Sequence, residues 1–474
     1  MIPSNYKNSS PVAKSVPYDP KQFDWPLAYP AERLLASRIR EFIAQNAFAK
    51  SLADGMRDET GTDFFEWVDH LVLPPGEEAS FREVGFVTDE VEARDGDHVL
   101  YHPRATLPRV ILRVGAKLRP SLIALRPEFV ADFIARHNLI TEIKGAPFSQ
   151  FRRALVNEDN GTRLEVVERR AYRGFLEAPH RPGKLEAILR TKEMWRARRR
   201  VFAQDADGIA HAQKLLKTSL ALVGRDQACQ IFFEEERAYW ENRNRTARIQ
   251  KYRQDRLGLG WGNHDHHTFR CSREHFVDLM EFLLAIGFQK RERYYAGAEA
   301  GWGAQICEQP VVGITVFADV DLMPDETQID FSSRRLPAAD RLGTVGLWVG
   351  LHGESFLGAG MHHLEARFDY QLLRDQLKAE GVNTMNPFSN FEFLKQAFTE
   401  GERWPVGRER AVKLLAAKLI TPEQFAKFIK EGALGSHLEN LQRHGGFKGF
   451  NQKSVSVVIS ATDPRHEHFA PAIA

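Results

Sequence analysis

Two stretches of this chain follow one pattern. HHTFRCSREHFVDLMEFLLAIGF (His266–Phe288) and HHLEARFDYQLLRDQLKAEGV (His362–Val382) each read as a short strand, a tight transition, an amphipathic helix and a glycine that stops it. Phe276, Leu279, Met280 and Leu283 form one helical stripe, and Tyr370, Leu373 and Leu377 the other. Gly287 and Gly381 stand where a left-handed cap ends a helix. Strand candidates RERYYAG, GAQICEQP and VGITVFADVD follow the first helix and complete a βαβββ unit. An internal repeat of this kind constrains the fold more than any other feature of the sequence.

The second copy does not finish in the same way. Residues 387–445 read as largely helical, as in RERAVKLLAAKLITPEQFAKFIKEG, and the strand SVSVVISA (Ser454–Ala461) arrives only afterwards. The helical piece is read as an insertion between strands. The expected fold class is therefore α+β, with paired βαβββ modules and a helical insertion within residues 259–474. Ahead of them stand a polar leader (1–30), an N-terminal α+β region (31–185) and a charged helical connector (186–258). The N-terminal region carries strand-like runs WVDHLVLP, HVLYHP and PRVILRVG and the helical stretch PEFVADFIARHN. Asp69-His70 followed by aliphatics again looks like the first strand of a module, so His70 belongs either to a degenerate module that has lost its metal or to a rival site.

A length of 474 residues suits two or three domains, and an apolar fraction of 43% with 27% charged residues is that of a soluble globular chain. The net charge of +2 advertises neither nucleic acid nor an acidic membrane surface. The densest basic run, RTKEMWRARRR (Arg190–Arg200), reads as a solvated helix face balanced by Glu234, Glu235, Glu236 and Glu241; a nucleic-acid patch is the other reading. Three cysteines without a CxxC pair suggest neither a disulfide framework nor a thiolate zinc site. With no hydrophobic signal core and no long apolar run, a cytoplasmic protein without membrane contact is expected.

Strand alternation puts His264, His266, Thr268 and Arg270 on one face, and His363, Glu365 and Arg367 on the corresponding face of the second copy. The opposite face, with Leu364, Ala366, Phe368 and His362, must pack on the helix. Each repeat thus delivers a histidine and, four residues on, an arginine to the polar side of a sheet. Two neutral imidazoles and a carboxylate with open coordination positions suit Fe(II) in a non-haem oxygenase site, and related sets suit Mn, Co or Zn. The arginines can grip a substrate carboxylate. His264 and His267 are read as second-sphere or packing residues, and His362 as packing.

At these residues the chain resembles the vicinal oxygen chelate superfamily, built from paired βαβββ modules. That resemblance places a metal histidine on the first strand of each module, here His266 and His363. Within it, the His-x3-Arg strand, the HHLEAR segment and the helical insertion resemble the 2-oxoadipate dioxygenase/decarboxylase (hydroxyglutarate synthase) family, which implies Fe(II), with Arg270 gripping a 2-oxo acid. One departure matters. The superfamily takes its carboxylate ligand from a module's last strand, yet SVSVVISATDP offers no Glu and only Asp463. Glu354, Glu365 and Asp319 are the replacements, and Glu354 is favoured because HGES ends the apolar strand TVGLWVG just before His363.

The expected function is that of a metal-dependent dioxygenase/decarboxylase acting on a small 2-oxo acid or related carboxylate, with Arg270 and Arg367 binding substrate and O2 as co-substrate. A non-redox isomerase or lyase with a metal-polarised carbonyl is the alternative enzyme. A metal-free binding module is the alternative outside catalysis.

Overall fold

The computed structural model describes residues 24–177, 182–296, 301–451 and 463–465; the strand expected at Ser454–Ala461 and most of the leader lie outside them. The chain opens on helices α1 (Tyr29–Gln45) and α2 (Ala47–Gly55), which bury Leu35, Ile39, Phe42 and Leu52. A mixed sheet follows: β1 (Val68–Leu73), helix α3 (Glu78–Glu83), β2 (Val87–Thr88), β3 (Asp97–Tyr101), β4 (Arg109–Arg113), β5 (Leu122–Leu125), helix α4 (Val130–Arg136), β6 (Phe151–Asp159) and β7 (Thr162–Arg169). Its order is β2-β3-β4-β1-β5-β7-β6. Strand β1 pairs in parallel with β4 and antiparallel with β5, and β5 pairs in parallel with β7.

Four helices then form the connector: α5 (Lys184–Arg196), α6 (Asp205–Val223), α7 (Arg225–Asn242) and α8 (Arg245–Asp255). The basic run is neutralised inside this bundle. Lys192 meets Glu234 at 2.5 Å, Arg196 meets Glu235 at 3.1 Å, and Arg198 and Arg200 meet Glu236 at 2.9 and 2.7 Å. These cations are held by carboxylates of α7 rather than displayed as a stripe.

The chain returns to the first sheet before starting the second. Gly258, at φ +69°, lies so close to α4 that an added Cβ would stand 2.6 Å from the Phe133 Cα. A Cβ on Gly262 would stand 2.3 Å from the Arg126 carbonyl oxygen. Any side chain at either position would push the two halves apart.

The second sheet contains β8 (His264–Arg270), helix α9 (Phe276–Ala285), β9 (Gln289–Tyr295), β10 (Trp302–Gln309), β11 (Ile314–Asp321), helix α10 (Thr344–His352), β12 (His363–Arg367), helix α11 (Tyr370–Ala379), β13 (Ser389–Phe391), β14 (Leu394–Phe398), β15 (Glu402–Trp404), helices α12 (Arg408–Ala416) and α13 (Pro422–Glu431), and β16 (Ala433–Arg443). The order is β13-β14-β16-β12-β8-β11-β10-β9, with β15 also paired to β16. Strand β8 pairs in parallel with β11, β12 in parallel with β16, and β8 and β12 meet antiparallel at the centre. The scheme of the first sheet recurs, with β8, β11, β12 and β16 standing where β1, β4, β5 and β7 stand. The architecture is mixed α+β with two mixed sheets, and no described helix is long and apolar enough to cross a membrane.

Two expectations of local structure are corrected. TVGLWVG is helix α10, not a strand. It is buried nearly all round, so its apolar run carries no period, and Asp321 at the end of β11 caps it, accepting from the Gly343 N–H at 2.7 Å and the Val345 N–H at 3.1 Å. Residues 387–445 are not largely helical either. Only α12 and α13 are helices there, and β13, β14, β15 and β16 make up most of the rest. Strand β16 is central and mostly buried along its length, so it lacks a half-buried strand's alternation, and His437 and Glu439 interrupt its apolar run.

Candidate metal centre

The site forms where β8, β12 and β16 lie side by side. His266, His363 and Glu439, one from each strand, are all buried and bring one ligand atom apiece to within 4.8 Å of each other. Glu439 Oε2 stands 3.0 Å from His363 Nε2 and 3.9 Å from His266 Nε2. These separations let one ion with bonds of about 2.1 Å reach all three. The register explains the convergence. His363-Leu364-Glu365 on β12 lies beside His437-Leu438-Glu439 on β16, residue for residue, and Glu365 also pairs with His266 across β8. The tripeptide His-Leu-Glu therefore occurs twice in adjacent parallel strands.

Glu365 is in contact with His266 Nε2, and the Gln396 amide donates to both Glu365 and Glu439, at 3.0 and 3.1 Å. With no arginine or lysine hydrogen-bonded to either carboxyl among the described residues, burial pushes Glu439 up to about 8. Burial and the neighbouring Glu439 push Glu365 well above the carboxylate range. Burial, with His266 and Arg270 nearby, holds His363 far below the usual imidazole value and hence neutral. Neutral imidazole beside buried carboxyls in need of positive charge is the donor chemistry of a divalent cation.

A second grouping, Asp265, His266 and Glu365, shares His266. Asp265 is already engaged: Arg367 Nε donates to it at 2.9 Å and Arg443 Nη2 at 3.1 Å. Burial would raise its carboxyl, but Arg443, His266 and Arg367 hold it well below the ordinary range. Asp265 sits in the irregularity of the β8–β12 ladder, where Glu365 faces His266 and Ala366 faces His264. That bulge brings its carboxylate to 3.4 Å from His266 Nδ1, where it can orient the ring.

The other residues singled out from the sequence fall as follows. Arg270 is buried, its guanidinium 5.6 Å from the Trp348 ring, and its Nε and Nη1 have no hydrogen-bond partner among the described residues. Burial lowers it to about 10, against the pull of Asp319 and Asp321. Arg367 is tied to Asp265 and does not share the free state of Arg270. Glu354, the favoured third ligand, is not brought to the histidines; its carboxylate accepts the Ser272 N–H at 3.3 and 3.1 Å. Because TVGLWVG is helical, HGES is delivered to the end of β8, where Ser355 Oγ also accepts the Arg270 N–H at 2.8 Å. Asp319 is buried and raised to about 8, with Arg270 its nearest cation, and belongs to neither ligand grouping. Asp463 accepts from Thr344 at 2.7 Å and pairs with Arg465. The bulge separates His264 from the face of His266, while His267 packs against Phe233 and Arg237. His362 does more than pack, because its Nδ1 lies 2.8 Å from His363 Nδ1.

His70 occupies in the first sheet the place of His266 in the second. His70 pairs with Ala124, which pairs with Glu165, just as His266 pairs with Glu365 and Glu365 with Glu439. Here Ala124 and Leu122 replace Glu365 and His363, Asp69 holds His70 Nδ1 at 2.7 Å, and Arg153 binds Glu165 at 2.9 Å. A resident ion pair fills the place of a cation.

No family model matches the chain, and no curated protein matches it. Among solved structures it is similar to a triple mutant of 4-hydroxymandelate synthase from Streptomyces coelicolor, at 14% identity, covering 84% of this chain and 98% of that one, with a TM-score of 0.28. Methylmalonyl-CoA epimerase from Mycobacterium tuberculosis matches at 11% identity over 38% of this chain and 88% of its own, with a TM-score of 0.22. The uncharacterized protein YdcJ from Shigella flexneri matches at 12% identity over 54% of this chain and 73% of its own, with a TM-score of 0.24. At such TM-scores the overlap assigns neither family nor activity.

Proposed function

We propose that the chain is a metal-dependent enzyme of the vicinal oxygen chelate type. In this reading β8–α9–β9–β10–β11 and β12–α11–β13–β14–β16 are its paired βαβββ modules, with α12 and α13 inserted in the second. A divalent metal, in the first place Fe(II), is held by His266, His363 and Glu439, and the enzyme acts as a dioxygenase/decarboxylase on a small 2-oxo acid. The observation that carries this reading is one buried 2-His-1-carboxylate set with a buried arginine four residues after His266 on the same strand, whose Nε and Nη1 have no partner among the described residues.

Each residue has a part. His363 is neutral, and in the tautomer that carries its hydrogen on Nδ1 it donates to His362 Nδ1 at 2.8 Å, which leaves Nε2 as the lone-pair donor. Asp265 does the same for His266 by accepting from its Nδ1–H. Gln396 holds the Glu439 carboxylate in orientation. Arg270 offers Nε–H and Nη1–H to a carboxylate, and its burial strengthens that contact while rejecting neutral analogues, which would leave the donors unpaired. When bound, Fe(II) supplies open coordination positions at which a 2-oxo acid and O2 can be activated together. The Glu365 carboxyl, raised by burial and by Glu439, stands beside the set as a group that could take up or give up a proton.

The second reading, a non-redox isomerase or lyase, draws on that same Glu365, placed where it could move a proton on a substrate whose carbonyl the metal polarises. Oxygen uptake separates the two. Anaerobically iron-loaded protein given a panel of 2-oxo acids, 2-oxoadipate included, should consume O2 and release CO2 in equal amounts. Turnover of a carboxylate substrate without O2 uptake would favour the isomerase or lyase.

A further inference from the structure

A cavity of about 440 Å³ lies between the two halves of the chain, lined by residues from both, with Asn263, His264 and Arg367 contributed by the half that holds the metal centre. Its volume is that of a metabolite site. Trp67, Arg126, His264 and Arg367 are among its walls. Most of its cations are neutralised locally. Arg109 and Arg173 bind Asp89 at 2.8 and 3.0 Å, Arg169 binds Asp69 at 2.7 Å, and Lys448 binds Glu308 at 3.0 Å. Arg126 is different. It faces the cavity, and no hydrogen bond or ion pair reaches its guanidinium among the described residues. Burial lowers it to about 10, and Arg169, Arg237 and Arg109 add to that against the pull of Asp69. Asp69 cannot serve it, because both its oxygens are taken by Arg169 and one also by His70. Glu66, the other carboxyl on that wall, is pushed by burial up to about 7 and stands 3.9 Å from Arg367.

Arg367 links this cavity to the metal centre. Its Nε donates to Asp265 Oδ1, while its two Nη atoms hold no hydrogen bond among the described residues and Nη1 has only the 3.9 Å approach of Glu66; Asp265 Oδ2 lies 3.4 Å from His266 Nδ1.

We propose that this cavity is a second ligand site, which takes a small molecule bearing a carboxylate or phosphate group, held by Arg126 and the Nη edge of Arg367. Both groups present planar or near-planar oxygen pairs to a guanidinium fork, and an unpaired, desolvated arginine gains more from such a partner than an exposed one does. The occupant draws on the guanidinium that steadies Asp265, and through Asp265 it alters how firmly His266 is oriented. The site is therefore coupled to metal binding; that part rests on the metal reading, while ligand binding itself does not.

The test is calorimetric titration of the metal-free full chain at low salt with two probes, pyrophosphate and citrate. Saturable one-site binding of at least one probe is expected, and which of the two binds distinguishes phosphate from carboxylate. Arg126→Met should weaken binding by about tenfold or more. Thr106→Trp, which fills the cavity from its rim and keeps Arg126, should do the same. Failure of both probes to bind the wild-type chain, or undiminished binding in whichever variant folds, overturns the site. In a second arm, Co(II) affinity is measured with and without the bound probe on the scale of free Co(II), corrected for its chelation by the probe, and a shift of about fivefold or more is expected, absent in the variants. An unchanged Co(II) affinity overturns the coupling. A chain that binds the probe but no Co(II) refutes the metal reading and leaves the anion site standing.

Discussion

Glu439 and His363 stand on neighbouring parallel strands with Oε2 3.0 Å from Nε2, although 76 positions separate them along the chain. From that contact Glu439→Gln should weaken Co(II) binding by about a hundredfold or more, because a charged ligand is replaced by a neutral one. Glu354→Gln, which removes an acceptor at the end of β8, should leave metal affinity within about twofold, and His70→Ala should leave stoichiometry unchanged. Competition titration with a chelator reads all three, and loss of metal in Glu354→Gln with retention in Glu439→Gln would reverse the assignment.

Arg270 makes the substrate prediction. Arg270→Met should raise KM for a 2-oxo acid by about thirtyfold, corresponding to roughly 2 kcal/mol for a charge-assisted contact, with metal content unchanged. Arg270→Lys should recover only part of the loss, because an ammonium cannot make the forked contact. Steady-state kinetics with metal analysis of the same samples checks both.

Metal uptake should release a proton. In the metal-free chain burial raises Glu439 to about 8, so below that pH its carboxyl is protonated and an incoming cation must displace the proton. Apparent affinity should therefore climb by about tenfold per pH unit up to roughly pH 8 and flatten above it. Titration at pH 7 in two buffers of different ionisation heat counts the protons; a count of zero would contradict the buried neutral carboxyl.

One contribution to acid stability lies in the connector. Burial would raise Glu234, but Arg170 and Lys192, at 2.8 and 2.5 Å, outweigh it and hold the carboxyl down at about 2. A carboxyl depressed on folding stabilises the chain above its unfolded value of about 4.5, and that contribution is lost as the pH falls through the interval from about 4.5 to about 2. Its size is on the order of 3 kcal/mol. Glu234→Gln should lower the unfolding midpoint at pH 7 and flatten the acid limb of urea-denaturation stability measured from pH 5 to 3.

Much of this arrangement was legible in the chain. The two histidines at equivalent places of a repeat are brought together, and the His-x3-Arg strand does carry an arginine whose Nε and Nη1 have no partner among the described residues. Glu439 is hard to single out from the sequence because β16 is mostly buried along its length and its polar residues, His437 and Glu439, break the apolar run that marks a central strand. A clue was present: His-Leu-Glu at 437–439 repeats His-Leu-Glu at 363–365, and equal tripeptides on parallel neighbours place equal side chains side by side. Helix α10 was misread for a different reason, since an apolar stretch covered from all sides has no period to separate helix from strand. The bulge at Asp265 left no trace in the alternation of β8, so His264 was assigned to the wrong face and the link from Arg367 to His266 could not be foreseen.

The most direct test of the central claim is the anomalous-scattering position of iron in crystals of the anaerobically loaded chain. The account predicts one peak per chain, within bonding distance of His266 Nε2, His363 Nε2 and a Glu439 carboxylate oxygen. A peak at His70, at Glu354 or at no fixed position would contradict it.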